Sequence, residues 1–574
     1  MSRLGLTPRR RARIRRGALS LGQAGLGALL VGGIVWAGTQ PAVTERVEAL
    51  SFVQAEADAQ GPTSTTVALE QATLICPGPE LVGLEGAREA VLETSGSVVS
   101  PPLEILGEVP KPAGQAGLEL LAPTSAASEP AAADDPTTGV SSALTEATAY
   151  LALGYGSVAP GMVATQEVRA ESEEVVGLAS VPCQAAGSSS WVLGGGGDAG
   201  RAERLIISNP GSNPVTVDIT AYGVEGTSSP ANGQGIVVPA QGRVVLLGDG
   251  LVPGESAPAF RIEAIGGDVA AVMVETSIEG TRPLGMDTVA AAAEPAEEQV
   301  IAGVLVPAEG GGTVTLRVVN PGESEVIGTV TALTATGELP LPDAVLRAPA
   351  GSVVDVPLSG LPAGPTSLAV NADAPIVAAV RTQLTGSTFD AGWAVSQAPV
   401  AGGRAETEAA DGSGDGSAGD SGGGSGDDSA GDSGDDSAGG SGDDSAGGSG
   451  GDSAEGWAGG TAAVGGAGVA GASLPLREGI ARSAVISARG AGATVQVTQL
   501  VGGEVSASEV LVPTDATVVV PLTGSGVWLQ VSDGAGQVYA AVLSTNSAGA
   551  AAISSMPLIQ PELSARRSEV IPLG

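Results

Sequence analysis

The stretch SNPGSNPVTVDITAYGVEG, residues 208–226, decides the fold, because it returns without a gap as VNPGESEVIGTVTALTATG at residues 319–337. In each copy a short apolar run precedes Asn-Pro-Gly, and a longer apolar run follows it. Proline sets φ at the first central position of a turn, and we expect the glycine to supply the positive φ that other residues resist. The alternation of Val215, Val217 and Ile219 places one apolar face on a core. Each copy therefore predicts a β-hairpin.

The repeat extends beyond the hairpin and occurs a third time near the C-terminus. Two further blocks follow each hairpin in the same order, and the first two copies are offset by 111 residues at Asn209 and Asn320 and by 108 residues at Val269 and Val377. The third copy keeps these blocks but has Ala-Arg-Gly at residues 488–490 where the others have Asn-Pro-Gly. The two asparagines are therefore interpreted as turn residues and not as a binding site.

Composition and spacing predict an all-β fold. The chain has 574 residues, enough for several domains, and its 89 glycines and 38 prolines divide it into short runs rich in valine and alanine. Each repeat holds about six or seven short strands at intervals of roughly 8–12 residues, which is the pattern of a β-sandwich. A propeller blade repeats at roughly 40–50 residues, so one blade per repeat does not fit. We predict tandem Ig-like β-sandwich modules after an N-terminal transmembrane helix, with one long disordered Asp/Gly/Ser tether.

The predicted segments follow one another in a fixed order. They are an Arg-rich cytoplasmic tail (1–16), a transmembrane helix or signal peptide (17–38), a stalk (39–61), a disulfide-tied β module (62–200), sandwich repeat 1 (201–295), sandwich repeat 2 (300–400), a disordered acidic Gly/Ser linker (403–470), sandwich repeat 3 (475–560) and a C-terminal tail (561–574). Whether the module at 62–200 is a further copy of the repeat stays open, because it does not align with the others.

The first forty residues predict export. An arginine cluster at residues 9–16 precedes residues 17–38, which carry no charge. About twenty apolar residues suffice to cross a bilayer as a helix, and the positive-inside rule keeps the arginines in the cytoplasm. A cleavable signal peptide with its cleavage site near residues 35–37 is the alternative. Either kind of segment would export the residues that follow it. The transmembrane helix predicts a single-pass protein of the cell membrane with an extracellular body.

Charge and histidine content exclude several classes of function. The net charge of −38 argues against nucleic acid as a partner, because an acidic body repels phosphates. The chain contains no histidine, which excludes Ser-His-Asp and Cys-His catalysis and His-dependent metal sites. We predict no enzyme, no catalytic residue, no metal site and no cofactor.

Three short patterns resemble functional sites but favour structural roles. The glycine run at 194–201 lacks the Gly-Lys-Ser/Thr ending of a phosphate loop and precedes a strand, so it predicts a connector. Trp191, Trp393 and Trp528 could line a sugar- or peptide-binding surface, but single large aromatic residues usually pack in cores. The eight-residue acidic unit of the linker lacks the nine-residue period and apolar position of a calcium-binding β-roll, so it predicts a tether.

The two cysteines predict a disulfide. Cys76 and Cys183 are the only cysteines and both lie in the exported part, where disulfides persist. A structural bridge is favoured over a redox-active pair, because the chain has no Cys-x-x-Cys motif. The residues between the two cysteines are therefore expected to form one module.

Several of these features together resemble an uncharacterised family of membrane-anchored exported proteins from high-GC Gram-positive actinobacteria, classed as a domain of unknown function. The resemblance rests on the Arg-rich start with its apolar span, CPGP at residues 76–79, Cys183 followed by WVLGG at residues 191–195, and the Asn-Pro-Gly repeats. It implies a compartment and a lineage but no activity.

We expect a non-catalytic cell-envelope protein that acts as an extracellular scaffold or as an adhesion and binding module, with an envelope glycan or protein as its partner. An accessory subunit of an envelope-building membrane enzyme, such as a glycosyltransferase, is the first alternative. A hydrolase that uses carboxylates without histidine is the second.

Overall fold

The structure is a computed structural model. It describes residues 64–80, 92–102, 105, 118–121, 140–144, 147–197, 199–386, 389–400, 468–546 and 552–568. The predicted cytoplasmic tail, transmembrane helix and stalk lie outside the described residues, as does the predicted linker up to residue 467. Among the described residues no helix is both long and apolar enough to span a bilayer. Strands make up most of what is described, so the all-β prediction is confirmed.

The chain divides into two units. The smaller unit comprises residues 1–67 and 565–574, and the larger comprises residues 68–564. In the smaller unit the described residues belong to strands β1 (Ser64–Ala68) and β33 (Ser564–Ser568), which pair with each other. The larger unit contains four modules, numbered I to IV. Modules I, II and IV are each built from two sheets, and in module III one long strand joins the two sheets into one of seven strands.

The described residues of module I form seven strands and include the disulfide. Its strands are β2 (Gln71–Cys76), β3 (Leu92–Val99), β4 (Leu118–Leu121), β5 (Val140–Ala143), β6 (Tyr150–Tyr155), β7 (Val163–Glu171) and β8 (Val176–Pro182), with a 3-10 turn at Gly156–Val158. The predicted disulfide is confirmed: Cys76 at the end of β2 is bonded to Cys183, the residue that follows β8. The bridge therefore connects the end of β2 to the residue that follows β8.

Module II contains the first sequence repeat. Its elements are β9 (Ser189–Leu193), β10 (Arg201–Asn209), β11 (Val215–Gly223), β12 (Gly226–Ser228), a 3-10 turn (Ala231–Gly233), β13 (Ile236–Val238), β14 (Gly242–Leu247), the single helical turn α1 (Gly248–Leu251), β15 (Ala259–Ile265), β16 (Ala270–Glu279) and β17 (Arg282–Val289). Strand β9 pairs with β15, so this sandwich begins at Ser189, before the predicted start of repeat 1 at residue 201.

Modules III and IV contain the second and third repeats. Module III has β18 (Ala296–Val306), β19 (Gly312–Val319), β20 (Val326–Thr334), β21 (Gly337–Ala348), β22 (Val353–Leu358), β23 (Gly364–Leu384) and β24 (Asp390–Val395). Module IV has β25 (Val469–Ser473), β26 (Ile480–Arg489), β27 (Ala493–Val501), β28 (Glu504–Val512), β29 (Ala516–Leu522), β30 (Gly526–Gly534), β31 (Gln537–Asn546) and β32 (Ile553–Pro557).

All four modules share one topology. Sheet A is the sheet of each module's first strand, and its order is β4-β6-β2 in module I, β12-β11-β15-β9 in module II and β28-β27-β30-β25 in module IV. Sheet B ends with the module's last strand, and its order is β5-β3-β7-β8, β14-β10-β16-β17 and β29-β26-β31-β32. In module III the long strand β23 passes through both sheets, pairing first with β18 and β20 and then with β19 and β24. Module I is therefore a fourth copy of the fold, although its sequence does not align with the repeats.

The modules pack against one another in a closed cyclic order. The outer face of sheet A in module I packs on sheet B of module II, where Leu151 and Ala270 share a core cluster. Sheet A of module II meets sheet B of module III, and sheet A of module III meets sheet B of module IV. The cycle closes where Trp528 of module IV packs with Val163 of module I. An open row of repeats would leave two sheet faces uncovered at its ends, whereas this arrangement covers both.

The closed order places eight sheets face to face around the larger unit. A β-propeller also arranges sheets radially and so protects their faces. Here each repeat supplies two sheets, and the chain crosses between them several times, so the repeating unit is a sandwich and not a blade. The prediction of tandem sandwiches did not anticipate that module IV contacts both module III and module I.

The last strands of the modules meet at the centre, in the cyclic order β8, β17, β24 and β32. Two glycines permit this close approach. A Cβ atom on Gly285 would lie 2.3 Å from the backbone nitrogen of Ala391, and a Cβ atom on Gly177 would lie 2.6 Å from a carboxyl oxygen of Asp390. Any larger residue at either position would therefore push neighbouring modules apart.

The Asn-Pro-Gly turns differ from the prediction in one respect. Neither Gly211 nor Gly322 has positive φ, whereas Gly490 of the third copy does. Instead, the N–H of Gly322 donates to Oδ1 of Asn320 at 2.9 Å, and a Cβ atom on Gly322 would lie only 3.2 Å from that same oxygen. Glycine is thus favoured there by the close approach of the asparagine side chain and not by backbone handedness.

Each buried asparagine also ties its hairpin to the next turn. Nδ2 of Asn320 donates to the carbonyls of Ser324, Ala348 and Pro349 at 2.7, 2.9 and 3.0 Å. In module IV, which lacks the asparagine, Asp515 of that next turn accepts the N–H of Gly490 at 3.0 Å. The asparagines are structural residues whose hydrogen bonds connect two turns.

Candidate functional site

A cleft of about 580 Å³ opens between modules II and III. Its lining residues are Ala199, Gly200, Arg201, Ser277, Ile278, Glu279, Gly280, Leu284, Arg381 and Gln383. They come from the start of β10, the β16–β17 hairpin and the second half of β23. Two of the lining residues, Arg201 and Arg381, are basic, in a chain that has 25 basic residues against 63 acidic ones.

Both arginines meet on one buried carboxylate. Glu275, on β16, accepts from Arg201 Nη2 at 2.8 Å and from Arg381 Nε at 3.1 Å, both at Oε1. Its other oxygen, Oε2, accepts the N–H of Gly195 and the indole N–H of Trp393, each at 2.9 Å. The four donors come from both modules, so Glu275 fixes the wall of the cleft and the interface together.

These contacts keep Glu275 ionised. Burial raises the pKa of a carboxyl group, but here the positive charges of Arg381 and Arg201 and the two neutral donors outweigh burial and lower the pKa of Glu275 to about 2. Burial lowers the pKa of Arg381 from its ordinary value, yet a guanidinium remains charged in proteins. Glu275 therefore stays negatively charged at neutral pH beside the two arginines with which it pairs.

A second buried glutamate lies directly opposite the first. Glu203 on β10 is the cross-strand partner of Glu275, and like charges at such positions repel. Burial, and then the charges of Asp249 and Glu275, raise the pKa of Glu203 to about 7. One carboxyl group of the pair is thus held ionised by arginines, while the other binds a proton near neutrality.

A third arginine, Arg317 of β19, fastens the glycine run to module III. Its Nη1 donates to the carbonyls of Gly194, Gly195 and Pro258 at 3.0 to 3.1 Å, and its guanidinium forms a two-point ion pair with Asp355. The run 194–201 leads directly into β10. It is the predicted connector, and its carbonyls form part of an interface.

Two buried aspartates lie where the last strands meet. Asp390 accepts the N–H groups of Leu178 in module I and Ile553 in module IV at 3.3 and 2.9 Å. Asp287 of module II accepts the N–H of Trp393 in module III at 2.6 Å. Burial raises the pKa of Asp287 to about 8 and that of Asp390 well above its ordinary value. Together the two carboxyl groups make hydrogen bonds that connect all four modules.

A second cleft, of about 640 Å³, lies between modules III and IV and has the opposite charge balance. Arg489 donates to Glu298, Glu338 and Asp515 at 2.6, 2.9 and 2.8 Å, and these carboxylates raise the pKa of Arg489 further. Since Arg489 pairs with three carboxylates, the described residues of this cleft offer no unpaired cation to a ligand.

The three tryptophans are core residues, as favoured. Trp191, Trp393 and Trp528 are each at most 2% exposed, so they do not form a binding surface. Trp393 and Trp528 donate across module boundaries, to Glu275 at 2.9 Å and to the carbonyl of Gly161 at 3.3 Å. In the described residues no group of three or more histidine, cysteine, aspartate or glutamate side chains is placed to hold a metal ion.

Sequence reasoning missed the cleft residues. Glu275 and Arg381 stand next to apolar runs of their strands, in VMVETS and VAAVRTQ. A charge at a strand position that points into a core or an interface is costly unless it is paired. That signal was present, but it did not identify the partner, which lies on the next repeat.

A known protein family matches the part of the chain that contains the cleft between modules II and III. The model of a family of unknown function, DUF5719, matches residues 138–418. Over those residues the chain is similar to this family. The DUF5719 segment begins just before β5 and includes modules II and III with every residue of the cleft between them. No curated protein matches the chain.

Proposed function

We propose that the protein is a non-catalytic, single-pass protein of the cell envelope, whose extracellular body is a scaffold that carries a binding site. The apolar segment at residues 17–38 would anchor it. The disulfide between Cys76 and Cys183 supports export, because such bonds persist in oxidising compartments. The cleft of modules II and III is the observation that carries the binding role, since it presents two arginines in an otherwise acidic protein.

The buried charges support a rigid scaffold. Glu167 of module I pairs with Arg482 of module IV, 315 residues away, and Glu275 pairs with Arg381 across the boundary of modules II and III. Buried pairs of this kind add little net stability, but removing one partner is costly, so they select one arrangement of the modules. A body fixed in this way holds its surface sites at constant distances.

The proposal is tested with the full chain in its native cells. Protease added to intact cells should degrade the body while cytoplasmic proteins stay intact, and a tagged chain solubilised in mild detergent should retain envelope glycan or a protein partner. Protection of the body from external protease would overturn the location. Retention of nothing above a tag-only control would overturn the binding role.

The same experiment separates the alternatives. An accessory subunit would co-purify in fixed ratio with a membrane enzyme, whereas an adhesion or scaffold protein would retain glycan or several envelope proteins. A carboxylate hydrolase gains no support from Asp287 and Asp390, because both carboxyl groups are buried and accept backbone hydrogen bonds.

A further inference from the structure

Strand β28 forms an uncovered edge of sheet A in module IV. It pairs with β27 from Glu504 to Val512 without a break in register, and among the described residues no strand pairs with its other side. Unpaired N–H and C=O groups on a sheet edge can pair with another chain, so long edges are normally blunted. This edge is regular over nine residues and is therefore open to such pairing.

The corresponding edges of modules II and III are blunted. In module II the edge is divided between two strands of three residues each, β12 and β13, with a 3-10 turn between them. In module III the edge strand β21 contains Pro340 and Pro342, which lack an N–H group, and its pairing with β20 shifts register. Strand β28 has neither a proline nor a register shift, so it differs from its two counterparts in both respects.

The hairpin that begins β28 determines which backbone groups lie on the free side. Gly502 and Gly503 both have positive φ, and Val501 faces Glu504 across them. This is a two-residue turn whose flanking residues are hydrogen-bonded to each other. Hydrogen-bonded and non-hydrogen-bonded pairs alternate along an antiparallel ladder. The residues of β28 that direct their N–H and C=O groups away from β27 are therefore Val505, Ala507, Glu509 and Leu511.

The side chains of these four residues lie on the outer face of the sheet. On the opposite face Val510 and Val512 pack in the core of module IV, and side chains alternate between faces along a strand. Val505 is 44% exposed and Leu511 is 70% exposed. In contrast Leu500, the cross-strand partner of Val505, is fully buried against module I. The apolar contact between modules thus ends one strand before the edge, and a further strand would extend it.

The charge of β28 selects among possible occupants of the edge. Its charged residues are Glu504 and Glu509, both exposed, and neither forms an ion pair with a described residue. A second copy of the chain would bring like charges together, in a protein of net charge −38. The chain's own segment 411–456 contains acidic but no basic residues. A basic segment of another protein is the occupant whose charge is complementary.

We propose that β28 binds an extended basic segment of a partner protein, which pairs with its free edge and adds a fifth strand to sheet A of module IV. Backbone hydrogen bonds to β28 supply affinity, and alternate side chains supply specificity. Apolar residues of the partner lie beside Val505 and Leu511, and a lysine or arginine lies beside Glu509. The inference goes beyond the proposed function, because it depends neither on export nor on the cleft of modules II and III.

The test uses the purified full chain in non-ionic detergent and two fluorescein-labelled peptides of nine residues. Each peptide alternates threonine with valine, and one valine is replaced by lysine in the first peptide and by glutamate in the second. Fluorescence anisotropy measures binding. We expect the lysine peptide to bind about fivefold more tightly than the glutamate peptide, since opposite charges across two strands attract and like charges repel. Hydrogen exchange should slow at the N–H groups on the free side of β28.

Two substitutions separate the charge from the backbone pairing. Glu509→Lys should reverse the preference, so that the glutamate peptide binds more tightly than the lysine peptide. Ala507→Pro removes an N–H group on the free side and should weaken binding of both peptides about tenfold. Glu478→Lys is the matched control, because Glu478 is an exposed acid of module IV outside β28, and it should bind both peptides as the unaltered chain does. Circular dichroism excludes unfolding, and Glu509→Lys tests the proposal if Ala507→Pro does not fold.

Three results of the binding experiment would each overturn the proposal: no binding of either peptide, equal binding of both peptides to the unaltered chain, or unchanged binding in a folded Ala507→Pro variant. A dimer in light scattering that Ala507→Pro abolishes would also overturn it, because a second copy would then occupy the edge. Failure of the envelope retention experiment with intact peptide binding would overturn the proposed function alone.

Discussion

Trp393 of module III donates its indole N–H to Glu275 of module II at 2.9 Å, and the backbone N–H of the same tryptophan donates to Asp287 at 2.6 Å. One residue therefore serves two buried carboxyl groups of the neighbouring module. Arg317 lies over its ring at 5.0 Å, which adds a cation–π contact. The boundary between modules II and III is a polar network inside an apolar core, and such networks are costly to leave incomplete.

Replacing Trp393 with phenylalanine should destabilise the protein. The ring remains apolar, but Glu275 loses one of its four donors, and a hydrogen bond to a buried charged group contributes about 1.5–3 kcal/mol. Urea denaturation should show a loss of that size. The control is Trp191→Phe, whose indole donates at 3.2 Å to the exposed Glu294 and should cost less. An equal loss in both variants would contradict the special role of Glu275.

Glu203→Gln should stabilise the protein above neutral pH. The folded-state pKa of Glu203 is about 7, above its ordinary value of 4.5. Its contribution to stability is therefore complete below about pH 4.5 and is lost as the pH rises through 7. At pH 8 the ionised carboxylate costs about 3 kcal/mol, because each pKa unit corresponds to about 1.4 kcal/mol.

Unfolding free energies measured from pH 5 to pH 8 should thus fall less steeply in Glu203→Gln than in the unaltered chain. Glu325→Gln is the control, since Glu325 is an exposed residue paired with Arg347 and should leave the pH profile unchanged. A Glu203→Gln profile parallel to that of the unaltered chain would show that the carboxyl group does not titrate in this range.

Asn320→Ala should cost about 2–4 kcal/mol, because it removes a fully buried amide that makes four hydrogen bonds. Thermal unfolding followed by circular dichroism measures the loss. Asn213→Ala, at an exposed position of the equivalent turn, should change stability by less than about 0.5 kcal/mol. If Asn320→Ala changed the free energy of unfolding only slightly, the hydrogen bonds of Asn320 would not be important for stability.

Reduction of the disulfide should loosen module I first. The bridge spans 107 residues, and closing a loop of that length restricts the unfolded chain by about 4–5 kcal/mol. Hydrogen exchange with and without reductant should show faster exchange in β3 and β7 than in β19 and β23. Uniform acceleration in all four modules would instead mean that the ring of modules opens as one unit.

The hairpins were predictable because their pattern is local. Val215, Val217 and Ile219 alternate as a half-buried strand requires, and all three are buried. The cyclic packing was not predictable, because it depends on pairs such as Glu167 with Arg482, which look like ordinary strand charges when each is seen alone. The sequence leaves open whether module I is a copy, since it lacks the Asn-Pro-Gly signal. Module I has the same strand topology as modules II and III but lacks the Asn-Pro-Gly turns by which those two are recognised in the sequence.

The cyclic order has a consequence for the covalent continuity of the chain. Module IV is held by module III and module I, and Val400 at the end of module III bridges to Val538 inside module IV. We expect a molecule nicked once between residues 401 and 467 to migrate as a single particle under native conditions and as two fragments in denaturant. Modules I to III and module IV would then be complementary halves, able to reassemble from separate polypeptides.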